Sequence, residues 1–416
     1  MGWDQKKLES LCEIFTDGDW IESKDQSSEG IRLIQTGNIG EGHFKNRRDK
    51  ARFISVDTFS RLKCCEIFKG DCLVSRLPDP VGRSCILPKT GDRMITAVDC
   101  TILRFKKDQL TPEFFNYFSQ SNAYLSNVES LTSGATRMRI SRKNLGLIVI
   151  PLPPIPEQKR IVAILDQAFA DIEQARALTE QNLKNARELF ESYLQQVFSH
   201  KINNFNNRSM SDKTMLTMID GDRGKNYPKK SEFSSEGHCL FLSTKNVRSD
   251  GFMFEQTMFI DEALDNLLRK GKLERNDVVL TTRGTIGNLA LYDDSVYYEN
   301  VRINSGMLIL RPNIETIHPS YLFEIMRSDI VRNQIEAKVS GAAQPQLPVN
   351  TLNTFSFPVP TLLDDQIKVV ELIKDAEILI KELIGIYNVK LTSLDELKKS
   401  LLQKAFTGEL TANSAA

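Results

Sequence analysis

The side chains of this sequence best equipped for chemistry are guanidinium, ammonium and carboxamide groups in stretches rich in turn residues. One set is Lys45, Arg47, Arg48, Lys50 and Arg52, then Arg76 and Arg83, then the run TRMRISRKN with Arg137, Arg139, Arg142 and Lys143. A second set is Lys225, Lys229, Lys230, Lys245, Arg248, Arg283 and the segment SGAAQPQ with Gln344 and Gln346. A guanidinium or ammonium group can donate to the O6 and N7 edge of guanine, and a carboxamide can pair with adenine, so these residues are candidates for DNA binding. For any single one of them a solvated basic face remains an open alternative.

Groups suited to covalent or metal chemistry are sparse. There is no G-x-x-x-x-G-K-[ST] loop for a nucleotide, and Gly37, Gly40 and Gly42 in TGNIGEG do not have dinucleotide-binding spacing. The four histidines are scattered, and the seven cysteines (Cys12, Cys64, Cys65, Cys72, Cys85, Cys100, Cys239) form no C-x-x-C pair, which points to reduced thiols and no bound metal. The acidic pairs Asp17 and Asp19, and Asp220 and Asp222, flank a glycine and read first as turn formers, with metal ligation as the lesser alternative. No catalytic residue is assigned.

Net charge is zero, with 54 basic and 54 acidic residues. Only residues 1–150 carry a surplus of cations, 23 against 19 acids, so any nucleic-acid surface must be local. No apolar run approaches the roughly 20 residues of a membrane span, and the opening MGWDQKKLESLCEIF lacks a signal-peptide layout, which predicts a cytoplasmic protein without a membrane partner.

The elements that position these groups are written twice. IFTDGDW, LIQTGNI, KGDCLVSR, VGRSCIL, SGA and PLPPIPEQKRIVAIL (14–165) are answered in order by MIDGDRG, FLSTKNV, RNDVVLTTR, IGNLALY, SGA and PVPTLLDDQIKVVELI (218–373), at an offset of 203 to 208 residues. Each copy opens as a mixed region of short β-branched strands and short helices, and closes on a proline-punctuated start to a long proline-free helix. The SGA loops continue differently, TRMR in one and AQPQ in the other, which makes Arg137, Arg139, Gln344 and Gln346 the first choices for base contact.

In the first long helix Ile161, Leu165, Ala168, Ile172, Ala175, Thr179, Asn182, Ala186, Leu189 and Tyr193 are spaced as the seam of a coiled coil. Val369, Ile373, Ala376, Ile380, Leu383, Tyr387, Lys390, Leu394, Leu397 and Leu401 repeat that seam in the second. Forty residues make a helix about 60 Å long. Antiparallel pairing is favoured because it gives a duplicated chain a pseudo-twofold axis. The polar pair Asn182 and Lys390 either fixes register or is tolerated in mid-helix.

The segments PLPPIPEQKRIVAIL, PVPTLLDDQIKVVELI, LKKSLLQKAFTGEL (397–410) and DGDWIESKDQ…GIRLIQTGNI resemble the conserved regions of Type I restriction-modification specificity subunits, in that family's order and over nearly the whole length. One departure is Asp365 where the family's P-x-x-E-Q has Glu. The resemblance implies an α+β fold with two mixed α/β target-recognition domains in pseudo-twofold tandem repeat (1–150 and 201–356), separated by two long helices (151–200 and 357–416) forming an antiparallel coiled coil. It implies a non-catalytic subunit that reads a bipartite, asymmetric target in double-stranded DNA and binds two methyltransferase subunits. Restricting complexes add motor-nuclease (translocase) subunits. S-adenosylmethionine, ATP and Mg²⁺ would belong to those partners. Two alternatives stay open, the specificity part of a split Type II restriction-methylation enzyme and a coiled-coil protein-binding scaffold.

Overall fold

The structure is a computed structural model that describes residues 3–134, 138–199, 205–339 and 346–412. It divides into two compact units, one of residues 1–180 with 388–416 and one of residues 181–387. The second unit repeats the first element by element. In the first, Cys12–Asp17, Cys100–Phe105, Cys72–Ser75 and Ser84–Ile86 form an antiparallel sheet in that order. In the second, Leu216–Asp220, Met307–Pro312, Asp277–Thr281 and Leu289–Tyr292 do the same. A three-stranded sheet follows in each: Ile31–Ile34 lies between antiparallel Arg52–Ile54 and parallel Met94–Thr96, and Cys239–Leu242 lies between Phe259–Ile260 and Val301–Ile303.

The apolar runs CLVS and DVVLT form central strands because both of their faces are covered, so alternate residues enter different cores. Cys72 and Val74 pack with helical Phe114, Phe115 and Phe118, whereas Leu73 packs with Ile34, Met94 and Cys85 on the other face. Val278 and Leu280 pack with Tyr321 and Ile325, whereas Val279 faces Leu240 and Ile303. A bidentate pair braces each sheet, Arg104 on Asp71 at 2.7–2.8 Å and Arg311 on Asp277 at 2.8–2.9 Å. The seven cysteines are free, and burial pushes the thiols of Cys12, Cys85, Cys100 and Cys239 up to about 12.

Ile155–Ser199 and Leu363–Thr407 are single helices of 45 residues, the latter ended by Gly408 at φ +84°. They pair antiparallel within each unit. In the first unit Glu173 meets Lys398 at 3.6 Å and Arg176 meets Asp395 further along, so partner numbers fall as residue numbers rise. In the second, Val197 and Phe198 at the end of one helix share a core with Val369, Val370 and Ile373 at the start of the other. Ile161, Leu165, Ile172, Val369 and Ile373 are buried in these cores, and Tyr193, Leu394 and Leu401 pack against them. Ile380 and Leu383 are half-buried.

Four expected seam positions are corrected. Leu189 is 63% and Leu397 47% exposed, and Asn182 and Lys390 also face solvent. A straight helix turns every 3.6 residues and drifts about 20° per heptad away from a 3.5-residue repeat. The buried stripe follows the straight period, returning from Ile161 to Val197 and from Val369 to Ala405 in ten turns. A strict heptad count therefore falls one residue out of step near position 189 and again near 397.

The glutamine of the helix-opening motif has a role in each unit that the sequence did not reveal. Gln158 is fully buried, its Oε1 accepts from the Thr111 amide at 2.9 Å, and its Nε2 donates to the carbonyls of Gln109 (2.8 Å) and Pro153 (2.9 Å). Gln366 does the same with His318 (2.7 Å), Thr316 (3.1 Å) and Pro360 (2.9 Å). Thr111 and His318 cap the helices Pro112–Phe118 and Pro319–Arg327, so one carboxamide ties the strand–helix framework of each unit to the start of its long helix.

Candidate nucleic-acid interface

Each large sheet begins with a strand that ends on an Asp-Gly-Asp turn, and the turn fits closely against the sheet. A Cβ on Gly18 would lie 2.3 Å from the Thr96 carbonyl oxygen, and one on Gly221 would lie 2.2 Å from that of Asn304. The Asp19 carboxylate accepts from the Cys65 amide at 3.1 Å, and burial raises its pKa. Asp222 accepts from the amides of Gly224 (2.7 Å) and Arg269 (2.8 Å), which hold its carboxyl below the usual range. Asp222 thus closes its own turn through Gly224, and both aspartates tie their turns to a distant segment, that of Cys65 or of Arg269.

Beside each turn lies the described end of the segment singled out by the SGA repeat. Ile140 donates its amide to the Arg76 carbonyl at 3.2 Å, and Leu347 donates to that of Thr282 at 3.0 Å, so Arg139 and Gln346 occupy equivalent places. Arg139 is 2.9 Å from Asp99, and Gln346 bridges Arg283. Arg137 and Gln344, the other first choices, lie outside the described residues.

The same bonds show that Arg76 and Arg283, which close the matched segments KGDCLVSR and RNDVVLTTR, are not equivalent. The amides of Arg76 and Thr282 bond to equivalent carbonyls, Asp99 at 2.9 Å and Gly306 at 2.8 Å, so Arg283 sits one residue further along. Along an extended chain a shift of one residue reverses the side chain's face. Arg76 accordingly points inward, 4% exposed, with Nη2 on the Val98 carbonyl at 2.5 Å and Nε 3.2 Å from Asp17. Arg283 is exposed. Arg83 is a second correction: at 8% exposure it donates to the carbonyls of Thr36, Ile39, Leu77, Pro78 and Pro80 at 2.6–3.0 Å. It braces two loops from beneath, and its counterpart Asn288 keeps one such bond, to Val247 at 3.0 Å. Burial lowers the pKa of both arginines.

In the second unit the exposed cations converge. A cleft of about 480 Å³ is lined by residues 220–226 with Arg269 and Lys270, and a neighbouring one of about 210 Å³ by Asp220, Arg223, Thr282, Arg283 and Gln346. Lys225, Arg283 and Gln346 were expected from sequence, whereas Arg223, Arg269 and Lys270 were not. Arg269 and Lys270 reach the cleft only because the sheet brings the 260s beside the turn at 222. Lys245 is exposed on a turn whose Thr244 lies near Gly284 and Gly306. Lys229 and Lys230 are exposed, and Arg248 is half-buried on a short hairpin, none of them lining either cleft.

In the first unit Lys45, Arg47, Lys50 and Arg52 are exposed on the segment after the Thr36–Asn38 turn, with Arg47 over Gly37. Arg48 is tied to Asp92 by two 2.8 Å bonds. Arg142 and Lys143 are exposed on the short helix after the strand Arg139–Ile140.

A family model described as "Type I restriction modification DNA specificity domain" matches residues 1–210 and again 216–386. The Type I restriction enzyme EcoBI specificity subunit of Escherichia coli is 22% identical over 74% of this chain and 68% of its own. The EcoKI specificity subunit of Escherichia coli K12 is 25% identical over 75% and 68%. In fold, the chain superposes with TM-score 0.76 and 18% identity, over 98% of both chains, on a structure reported under "Structural basis underlying complex assembly and conformational transition of the type I R-M system". The HsdS subunit of Thermoanaerobacter tengcongensis follows at 0.65 and 18% identity, over 98% of this chain and 97% of that one. With its two matched domains, its duplicated sheets and its paired long helices, the chain belongs to the Type I restriction-modification DNA specificity family.

Proposed function

We propose that this chain reads a bipartite, asymmetric DNA target, one half-site per unit, and docks two methyltransferase subunits without catalysing a reaction itself. The observation that carries this reading is a common scaffold with divergent tips. The sheets, the Asp-Gly-Asp turns and the buried glutamines repeat, while the residues at the rim differ: Arg139 stands opposite Gln346 and inward Arg76 opposite Thr282. Readers of two different half-sites need that combination.

Docking is supported by apolar residues of the long helices that lie off the buried stripe. Leu178, Ile378, Leu379, Ile386 and Val389 are 57–67% exposed, a cost that a partner surface would remove. S-adenosylmethionine, ATP and Mg²⁺ belong on the methyltransferase and motor-nuclease partners. Co-purification with a methyltransferase subunit tests the proposal. The expected complex has one copy of this chain to two of the partner, retards DNA carrying the target, and transfers methyl groups only when the partner is present. A complex that leaves DNA unretarded, or turnover by this chain alone, overturns it.

A further inference from the structure

The residue that follows each Asp-Gly-Asp turn is held at the same place in the two units and differs completely in chemistry. It is Trp20 in the first and Arg223 in the second. The turn fixes the backbone there, through the close approach of Gly18 and Gly221 to the sheet and through the amide bonds of Asp19 and Asp222. The aspartate before it, Asp17 or Asp220, takes a guanidinium in both units but from different elements. Asp220 lies 3.4 Å from Arg223, while Asp17, with no cation at position 20, lies 3.2 Å from inward Arg76. Position 20/223 is therefore exchangeable on a constant frame.

Arg223 lines both the 480 Å³ and the 210 Å³ cleft, in the latter beside Arg283 and Gln346. Its counterpart Trp20 is 70% exposed and follows Asp19, which bridges Ala97 two residues before Asp99, the ion-pair partner of Arg139. At that exposure the apolar faces of the indole are open to a ligand.

We infer that Trp20 and Arg223 are DNA contacts of the two readers, each confined to its own half-site, an apolar contact in the first and a charged one in the second. The inference rests on the DNA-reading function proposed above. An indole face can cover apolar DNA surface, either the 5-methyl group of thymine or a deoxyribose, and neutralises no phosphate; Arg223 can fork a guanine edge or a phosphate.

The test uses the complex with methyltransferase subunits and probes in which one half-site at a time is scrambled, over a range of salt. Trp20→Ala is expected to weaken reading of the first half-site by about tenfold, leaving the second half-site and the salt slope unchanged. Arg223→Ala should weaken the second half-site alone, lowering the salt slope by about one if the contact is to phosphate. Trp20→Arg should raise that slope by about one. Deoxyuridine in place of thymidine reproduces the Trp20→Ala loss if the contact is the methyl group and has no effect if it is the sugar. An unchanged denaturant unfolding midpoint of the first unit shows that Trp20→Ala is folded. First-half-site affinity unchanged within about twofold, or an equal loss on both halves, overturns the inference. A wild-type complex that does not retard DNA instead defeats the functional reading beneath it.

Discussion

A chain ending at residue 200 is expected to fold, to dimerise and, with methyltransferase subunits, to modify a palindromic repeat of the first half-site. In the intact chain Leu402, Ala405 and Phe406 close the core of the first unit, with Phe406 at 5.2 Å and 5.1 Å from the rings of Phe114 and Phe118. The residues 208 positions earlier, Leu194, Val197 and Phe198, do the same in the second unit, where Phe198 lies 6.0 Å from Tyr321. A second copy of the truncated chain can therefore put Leu194, Val197 and Phe198 where Leu402, Ala405 and Phe406 were, and the apolar surface otherwise exposed favours that exchange. Val197 in place of Ala405 adds volume and costs about 1–3 kcal/mol, and Arg187 in place of Asp395 sets like charges against Arg176. The dimer should thus be weaker than the native pairing and should tighten with salt. Light scattering reports its mass, and methylation of a palindrome reports its function; a stable monomer counts against antiparallel exchange.

Gln158→Leu should be among the most damaging single substitutions in the first unit. Leucine fills a similar volume but leaves the Thr111 amide and the carbonyls of Gln109 and Pro153 without partners in a site closed to water. Each orphaned buried group costs about 1–3 kcal/mol, so after relaxation the loss is roughly 3–5 kcal/mol. Gln366→Leu should do the same in the second unit. Denaturant unfolding followed separately for each unit checks both, with the two losses adding in the double variant. A loss under about 1 kcal/mol would mean that water or a shifted backbone replaces the carboxamide.

The sequence made the duplication legible because equivalent turns and strands recur in one order, and it made the long helices legible because proline is absent from them beyond the first turn. The order of strands in the sheets was not legible, since Cys12–Asp17 pairs with Cys100–Phe105 across some ninety residues and no local pattern records the partner. The segments carrying Arg139 and Gln346 could be found because a shared SGA precedes different polar residues. Arg76 and Arg283 looked equivalent because linear matching pairs like with like, yet one inserted residue turns one inward and the other outward. Arg83 looked like a surface cation because the carbonyls that cage it come from two separate segments. Trp20 and Gln158 were in plain view inside recognised motifs, but exposure of the one and burial of the other are properties of the fold.

Two readers that act independently on one chain should leave a divided signature on the host genome. Methylome sequencing of a host expressing this chain with its methyltransferase subunit looks for it, comparing wild type with Arg283→Ala, which alters one exposed rim side chain of the second unit. The wild type is expected to give a single bipartite asymmetric motif. The variant should show a change confined to one half, worth about 1–3 kcal/mol at one base position, with the other half intact. A continuous, undivided motif, or a variant that alters both halves together, would rule out independent readers.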